Sequence, residues 1–284
     1  MKRIVVTGGS GKLGTAVVQR LLEHGYRVVN VDRVPGEGSA AQFVHTDLTD
    51  YGQVVEVMAA VDDRYEGVDA VVHLAAIPAP GLVTNSRTFM NNMTASYNVF
   101  TAARASGITD LVWASSETLL GLPFDNPPPY VPVDEEYPAR PETTYAMVKH
   151  LEETMAAQMC RRDPALKMIG LRFSNVMSIA DYARFPEFQD DPRARAWNLW
   201  GYIDRRDGAQ AVQLALEHQS TGMDVFIVAN QDTVMQRPNA ELLAEVYPEV
   251  PTRRPFEPNE TLLSIDKARR VLGYDPEHSW RHHV

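Results

Sequence analysis

A run of β-branched residues, Arg3-Ile4-Val5-Val6-Thr7, breaks directly into Gly8-Gly9-Ser10-Gly11-Lys12-Leu13-Gly14 and then into a helical pattern. A strand this apolar has no polar face to offer to water, so it belongs in a sheet covered on both sides. Gly9, Gly11 and Gly14 fit G-x-G-x-x-G, and Gly8, Gly11 and Gly14 recur at every third position. Glycine permits the tight turn and lets the backbone approach a pyrophosphate, and the last glycine permits close packing of helix on strand. The N-terminus of the following helix adds free N–H donors and the positive end of its dipole. In this strand–turn–helix setting, Gly8, Gly11, Lys12, Leu13 and Gly14 read as a dinucleotide cradle.

The pattern continues along the chain. "RVVNV" (27–31), "AQFVH" (41–45), "DAVVHL" (69–74), "DLVWAS" (110–115) and "LKMIGLRF" (166–173) read as strands. Helical stretches fall at 12–24, 50–61, 86–105 and from about Tyr145 onward. Strands alternating with helices predict right-handed βαβ units, hence an α/β fold with a Rossmann-type doubly wound parallel sheet. Residues 121–142 hold seven prolines and are expected to lie as a loop over the C-terminal edge of that sheet. After Phe173 the pattern is irregular apart from a helix at 204–218. The expected organisation is a cofactor-binding domain at 1–173 plus 204–229 and a small C-terminal substrate lobe at 174–203 plus 230–284.

The charge balance narrows the partners. A formal net charge of −10, with no basic stripe, argues against nucleic acid and anionic membranes. The single cysteine, Cys160, excludes an intrachain disulfide and a multi-cysteine metal site, and reads as a small buried hydrophobe. His282-His283 reads as a mobile tail, and no metal is expected. Met1-Lys2-Arg3 leads straight into the first strand and no apolar segment reaches 18 residues, so a cytoplasmic protein is expected.

The second strand runs into Asp32, 18 residues after Gly14. A carboxylate there accepts both hydroxyls of an adenosine ribose and repels a 2′-phosphate, which points to NAD rather than NADP. Arg33 beside it points the other way, since a guanidinium there can hold that phosphate. Asp47 suits either the adenine amino group or the cap of the helix at 50–61. Tyr145 and Lys149 lie four residues apart on one helix face, a spacing that suits either a catalytic pair or an ordinary solvated surface.

Taken together, these stretches resemble the extended short-chain dehydrogenase/reductase family of NAD-dependent sugar epimerases, dehydratases and sugar or uronate dehydrogenases. "TGGSGKLG" resembles its cofactor loop, "DL" (47–48) its adenine-contact motif, and "HLAA" (73–76) its fourth-strand motif. "NMTASYN" (92–98) resembles its Asn-containing helix, "SSETLLG" (115–121) its serine segment, "YAMVK" its Tyr-x-x-x-Lys, and "LRFSNV" (171–176) the motif after the sixth strand. "WGYIDRRD" (200–207) and "SIDKARRVLGYDP" (264–276) resemble its C-terminal landmarks. The resemblance implies Tyr145 as the proton-transfer group, with its pKa lowered toward neutral by Lys149. It implies Ser116 on the same substrate oxygen, with Ser115 as the alternative one residue earlier, and Lys149 on the nicotinamide ribose. It extends cofactor contacts to Leu48, Leu74, Ala75, Ala76 and Asn92, and substrate contacts to Ser115, Glu117, Asn175 and Arg172. Arg172, Arg253 or Arg254 would clamp a diphosphate or a carboxylate.

The chain departs from the family pattern in three places. Leu120-Gly121 stands for Tyr-Gly, Met177-Ser178-Ile179 for Tyr-Gly-Pro, and "WGYIDR" for "RDYIHV". With the short lobe, these favour a dehydrogenase acting on a sugar or sugar acid. The alternative is a nucleotide-sugar epimerase or dehydratase that keeps its NAD, and a third reading is a nucleotide sensor without catalysis. The partner expected is a small carbohydrate. The resemblance also implies a homodimer through the helices at 86–105 and 144–162, with Phe89, Met93, Tyr97, Met155 and Met159 at the interface.

Overall fold

The computed structural model describes residues 1–36, 40–60, 65 and 67–283. In chain order come β1 (Arg3–Thr7), α1 (Lys12–Glu23), β2 (Arg27–Asp32), β3 (Gln42–His45), α2 (Tyr51–Ala59), β4 (Ala70–His73), α3 (Asn85–Ala105) and β5 (Asp110–Ser116). Then follow α4 (Thr144–Arg162), β6 (Lys167–Phe173), β7 (Val176–Met177), β8 (Ile203–Asp204), α5 (Arg205–Glu217), β9 (Gly222–Val228), α6 (Asn239–Val246) and α7 (Asp266–Leu272). Seven strands form one parallel sheet in the order β3-β2-β1-β4-β5-β6-β9, while β7 and β8 pair separately. This is the Rossmann-type doubly wound sheet that the alternating pattern predicts.

The alternation of faces along β1 shows why. Ile4 and Val6 enter one core with Val17 and Leu21 of α1 and Val212 of α5. Val5 enters the other core with Val54 of α2, Val99 of α3 and Ala156 of α4. Each face buries its own apolar set, so neither can be left open to water. The strand β9 was not read from the sequence. Its first four residues are only partly buried, so "GMDVFIV" shows neither clean alternation nor a uniformly apolar run. Its pairing with β6 brings it into the sheet.

The proline-rich segment does more than cover the sheet edge. Val131 bridges to Thr252 and Val133 to Leu263, with Val133 N–H donating to Leu262 O at 2.8 Å. The segment is therefore stitched to the C-terminal residues. The C-terminus itself is packed, contrary to the mobile tail expected from His282-His283. Trp280 is buried with its indole N–H on Thr233 O at 2.9 Å, and the His283 ring lies 5.6 Å from that of Tyr182. Cys160 is free and buried, as expected. Among the described residues, no helix is long and apolar enough to cross a membrane.

The turn after β1 is the tightest part of the fold. A Cβ at Gly14 would fall 2.0 Å from Gly8 O and 2.7 Å from Gly9 Cα, both backbone atoms that cannot rotate away. Gly14→Ala should therefore destabilise the protein by at least about 2 kcal/mol in denaturant titration, the range for forced overpacking. An unchanged midpoint would show that the loop has room to move.

Candidate active site

All seven strands of the sheet point their C-terminal ends the same way, and the loops leaving β1, β2, β4, β5 and β6 line one cleft of about 1110 Å³. Its cofactor half is built largely from backbone. Gly8, at φ +71°, lies so close to the exit of β4 that a Cβ would fall 2.6 Å from Ala75 N. Gly11 lines the cleft without a side chain, beside Lys12, Leu13 and Gly14 at the start of α1. These residues fit a pyrophosphate held by a helix N-terminus. Asp32 lines the same cleft and accepts N–H bonds from Ser10 at 3.1 Å and Arg33 at 2.7 Å, which tie the ribose end to the glycine loop. Arg33 is turned to Asp47 at 3.0 Å, so it is already engaged rather than waiting for a 2′-phosphate. Asp47 does not cap α2; Asp50 does, accepting from Gly52 and Gln53. The backbone N–H and hydroxyl of Thr49, with Arg33, hold the Asp47 carboxyl down to about 2. Leu48, Leu74, Ala75 and Ala76 complete the apolar walls.

Asn92 belongs behind that wall rather than in it. It is buried, its Oδ1 accepts from Ile77 N at 2.8 Å and its Nδ2 donates to Ile77 O at 3.0 Å. Both ends of the amide are thus spent on fixing the loop after β4, and it does not line the cleft. Asn98, from the same motif, donates to Leu48 O at 2.9 Å and sets that residue in place.

The catalytic candidates converge from two elements. Thr143 caps α4 through Ala146 N at 3.1 Å, which starts the helix one turn before Lys149. Tyr145, Lys149 and Ser116 are all buried side chains that line the cleft. The Lys149 Nζ stands 5.9 Å from the centre of the Tyr145 ring. Ser116 lies close enough to Tyr145 to favour its ionised form, and its Oγ accepts from Thr118 N at 3.1 Å. The pKa of Tyr145 moves opposite to the sequence expectation. Burial pushes the phenol above its ordinary value, and the Glu152 and Glu117 carboxylates add to this against the pull of Lys149 and Ser116. Burial alone would lower Lys149, but Glu152, Tyr145 and Glu153 outweigh it and hold the ammonium charged.

The other half of the cleft is lined by Glu117, Ser174, Asn175, Val176 and Trp197. Glu117 is buried, with Oε1 accepting from Asn198 Nδ2 at 3.1 Å and Oε2 without a hydrogen-bond partner among the described residues. Burial pushes its carboxyl up to about 7, against hydrogen bonds from its neighbours and the charge of Arg195. Ser115 reaches the cleft but donates its hydroxyl to Glu153 at 2.6 Å. Arg172 is not at the site. It is buried in a two-point pair with Glu153, at 3.0 and 2.9 Å, and does not line the cleft. A buried guanidinium needs that partner, so it cannot also reach a ligand. Arg253 pairs with Asp134 and Glu136, and Arg254 with Glu260 and Asp266, again away from the cleft. The sequence reading missed Trp197 and Arg87. Arg87 is exposed on the first turn of α3 and lines the cleft with no carboxylate partner among the described residues. Only tertiary structure brings α3 and residue 197 to this cleft.

Glu117 makes a pH prediction. Its folded pKa of about 7 lies above the ordinary 4.5, so the fold carries no penalty below pH 4.5, accumulates one as pH rises from 4.5 to 7, and keeps it unchanged above that. Glu117→Gln should match wild type near pH 4 and exceed it by up to about 3 kcal/mol above pH 7, from roughly 1.4 kcal/mol per pKa unit. Urea titrations at both pH values check this; an equal difference at both would refute it.

Comparison with known proteins agrees with this geometry. Residues 4–229 match the model of the NAD dependent epimerase/dehydratase family. A UDP-glucose 4-epimerase of Mus musculus is 29% identical over 221 residues, which span 72% of this chain and 61% of that protein. The chain thus spans less than two thirds of that relative, whereas with the UDP-glucose 4-epimerase of Corynebacterium glutamicum, 27% identical, the match covers 98% of this chain and 92% of the other. A solved short-chain dehydrogenase/reductase superfamily protein from Agrobacterium tumefaciens, with bound NAD, superposes with a TM-score of 0.74 at 24% identity, covering 99% of this chain and 94% of that one. The glycine cradle, Asp32 and the committed Arg33 suit the family's cofactor, NAD. The chain belongs to the NAD-dependent epimerase/dehydratase family.

Proposed function

We propose that the protein is an NAD-dependent epimerase that removes and returns a hydride at one hydroxyl carbon of a nucleotide-sugar. The observation that carries this reading is a single cleft joining the cofactor cradle, the Tyr145–Lys149–Ser116 group and a substrate half. Its volume of about 1110 Å³ exceeds the roughly 300–1,000 Å³ of a site for one ligand, which suits cofactor and substrate together. Arg87 supplies a guanidinium for a diphosphate. The two UDP-glucose 4-epimerase relatives support the same reading. Bound NAD supplies the hydride acceptor and donor. Tyr145 takes the proton of the reacting hydroxyl and later returns it, Ser116 holds the same oxygen, and Lys149 fixes the charge beside the phenol. Glu117 and Asn175 face the sugar.

A dehydrogenase acting on a free sugar or sugar acid is the second reading. It is favoured by the commitment of Arg172, Arg253 and Arg254 to ion pairs, which leaves one Arg87 and so suits a single carboxylate. Purified protein given UDP-sugars should invert the sugar without net NADH absorbance. NADH formed in proportion to a free sugar or uronate, with no inversion of UDP-sugars, would replace the first reading with the second. Tyr145→Phe should keep the fold and NAD binding and lower turnover by about 10²- to 10⁴-fold. Near-normal turnover would remove Tyr145 from the chemistry.

The proposed assembly is a homodimer. Of the positions expected at the interface, Met155 and Met159 instead pack partly against the core. Met90 and Tyr97 of α3 and Met147 and Leu151 of α4 are the exposed large apolar residues there, on two helices that pack together. Light scattering at micromolar concentration should give twice the monomer mass; the monomer mass alone would refute it.

A further inference from the structure

The chain has four tryptophans, and three of them, Trp113, Trp200 and Trp280, are buried and lie outside the cleft lining. Trp197 is the one that lines the cleft, and it is only half-buried. Trp200 and Trp280 spend their indole N–H groups on Pro192 O and Thr233 O, at 2.7 and 2.9 Å. The indole N–H of Trp197 makes no hydrogen bond among the described residues. The ring is thus a large apolar surface with a free polar edge, left open on a cleft.

The chain around Trp197 holds that ring still. The short 3-10 turn Ala196–Asn198 carries it. The turn ends in Leu199 and Trp200, both buried, at φ +54° and +57°, a left-handed conformation that residues with a Cβ rarely adopt. Strain of this kind persists where surrounding contacts over-determine it, and it gathers at functional sites. Arg195 is buried, with its guanidinium over the Trp197 ring at 5.1 Å and over that of Phe188 at 5.4 Å. It also donates to Gly201 O at 2.8 Å. Asn198 is buried and donates to Gly201 O at 2.9 Å and to Glu117 Oε1 at 3.1 Å. The Tyr247 hydroxyl donates to Ala196 O at 3.0 Å. The bond to Glu117 fixes the location as well as the pose. Glu117 follows Ser116 and Asn198 follows Trp197, so a single hydrogen bond ties the turn to the segment that carries Ser116.

We propose that Trp197 is the platform for the sugar: the C–H face of the sugar ring lies on the indole while its reacting hydroxyl is held at Tyr145 and Ser116. The proposal rests on the reading that a sugar hydroxyl reacts at those two residues. It adds a specificity-determining residue to that reading, and it gives Arg195, Asn198 and Glu117 the task of positioning that residue. The C–H hydrogens of a sugar ring form an apolar patch of slight positive charge, which matches the negative face of an aromatic ring. Hydroxyls at the rim of the sugar are then within range of the open indole N–H. A nucleobase also stacks on an indole. The tether to Glu117 decides between them, because it sets the platform beside Ser116, where the sugar end of a nucleotide-sugar must lie for its hydroxyl to react.

The test follows tryptophan emission of the NAD-saturated Tyr145→Phe protein, in which a sugar binds without turning over, as UDP-glucose, UDP alone or glucuronate is added. UDP-glucose should change the emission, UDP alone should leave it largely as it was, and adding Trp197→Phe should abolish the change. An equal change with UDP alone puts the base on the indole and overturns the proposal. Calorimetry supplies the affinities. Trp197→Leu should bind UDP-glucose about 10-fold or more weakly than the parent and UDP within about 2-fold of it, with NAD binding retained. Trp197→Phe keeps an aromatic face and should recover most of the loss, which mere filling of space would not do. If the leucine variant does not fold, the emission of the native ring decides alone. UDP-glucose that binds by calorimetry without changing the emission refutes the platform. A change with glucuronate and none with UDP-glucose keeps the platform and moves the substrate to a free sugar acid. Binding of neither refutes both. Turnover that survives Tyr145→Phe refutes the reading on which the proposal rests, so the two failures can be told apart.

Discussion

The site hangs on one contact between bare backbones, where Gly8 meets the exit of β4. Leu74 N donates to Thr7 O at 3.0 Å, and a Cβ on Gly8 would strike Ala75 N at 2.6 Å. No side chain fits between the two strands here, so β1 and β4 run in close register, with Thr7 paired to His73. That register has two consequences on opposite sides of the backbone. Toward the cleft it presents the glycine loop and Ala75 as one smooth wall for a dinucleotide. Away from the cleft it brings the Thr7 hydroxyl to His73 Nδ1 at 2.7 Å, a buried bond between two strands.

The catalytic end is held by charges that an ordinary core would not accept. Lys149, Glu152, Glu153, Arg172 and Glu117 are all buried. Taking such groups out of water costs several kcal/mol each unless partners replace the solvent. Four of the five find theirs: Lys149 in Glu152, and Arg172 in Glu153 with the Ser115 hydroxyl alongside. Glu117 is the exception. One of its oxygens has no hydrogen-bond partner among the described residues, and burial pushes its carboxyl up to about 7. It faces the cleft beside Ser116, where an unspent hydrogen-bonding group is of use to a substrate. Buried charges are thus treated differently within a few residues of each other: the paired ones fix α4 against β5 and β6, and the unpaired one lines the cleft.

Much of this was legible in the chain itself. The apolar strands, the glycine spacing and the prolines fix the alternation of elements, and local chemistry needs no tertiary partner to be read. Asp32 is legible from its spacing after the glycines, Tyr145, Lys149 and Ser116 from the resemblance of their motifs to a family, and all four fall in one cleft. What failed was any inference from residue type to partner. Arg172 was read as a clamp because guanidinium binds anions, but the anion it binds is Glu153 from the neighbouring helix. Asn92 was read as a cofactor contact, but both ends of its amide are taken by Ile77.

The sequence by itself determined the parallel sheet, the dinucleotide cradle and the placing of Tyr145 and Lys149 one turn apart on one helix face, because each depends on neighbours within about one helical turn or one strand. Only the tertiary structure decided which charges are free and which are spent. It placed Arg87 and Trp197 at the cleft, removed Arg172, Arg253 and Arg254 from it, and turned the expected lowering of Tyr145 into a rise. The reason is physical. The proton affinity of a buried group is set by burial and by the groups that the fold packs beside it, and Ser116 and Glu117 come to Tyr145 from the end of β5 rather than from its own helix.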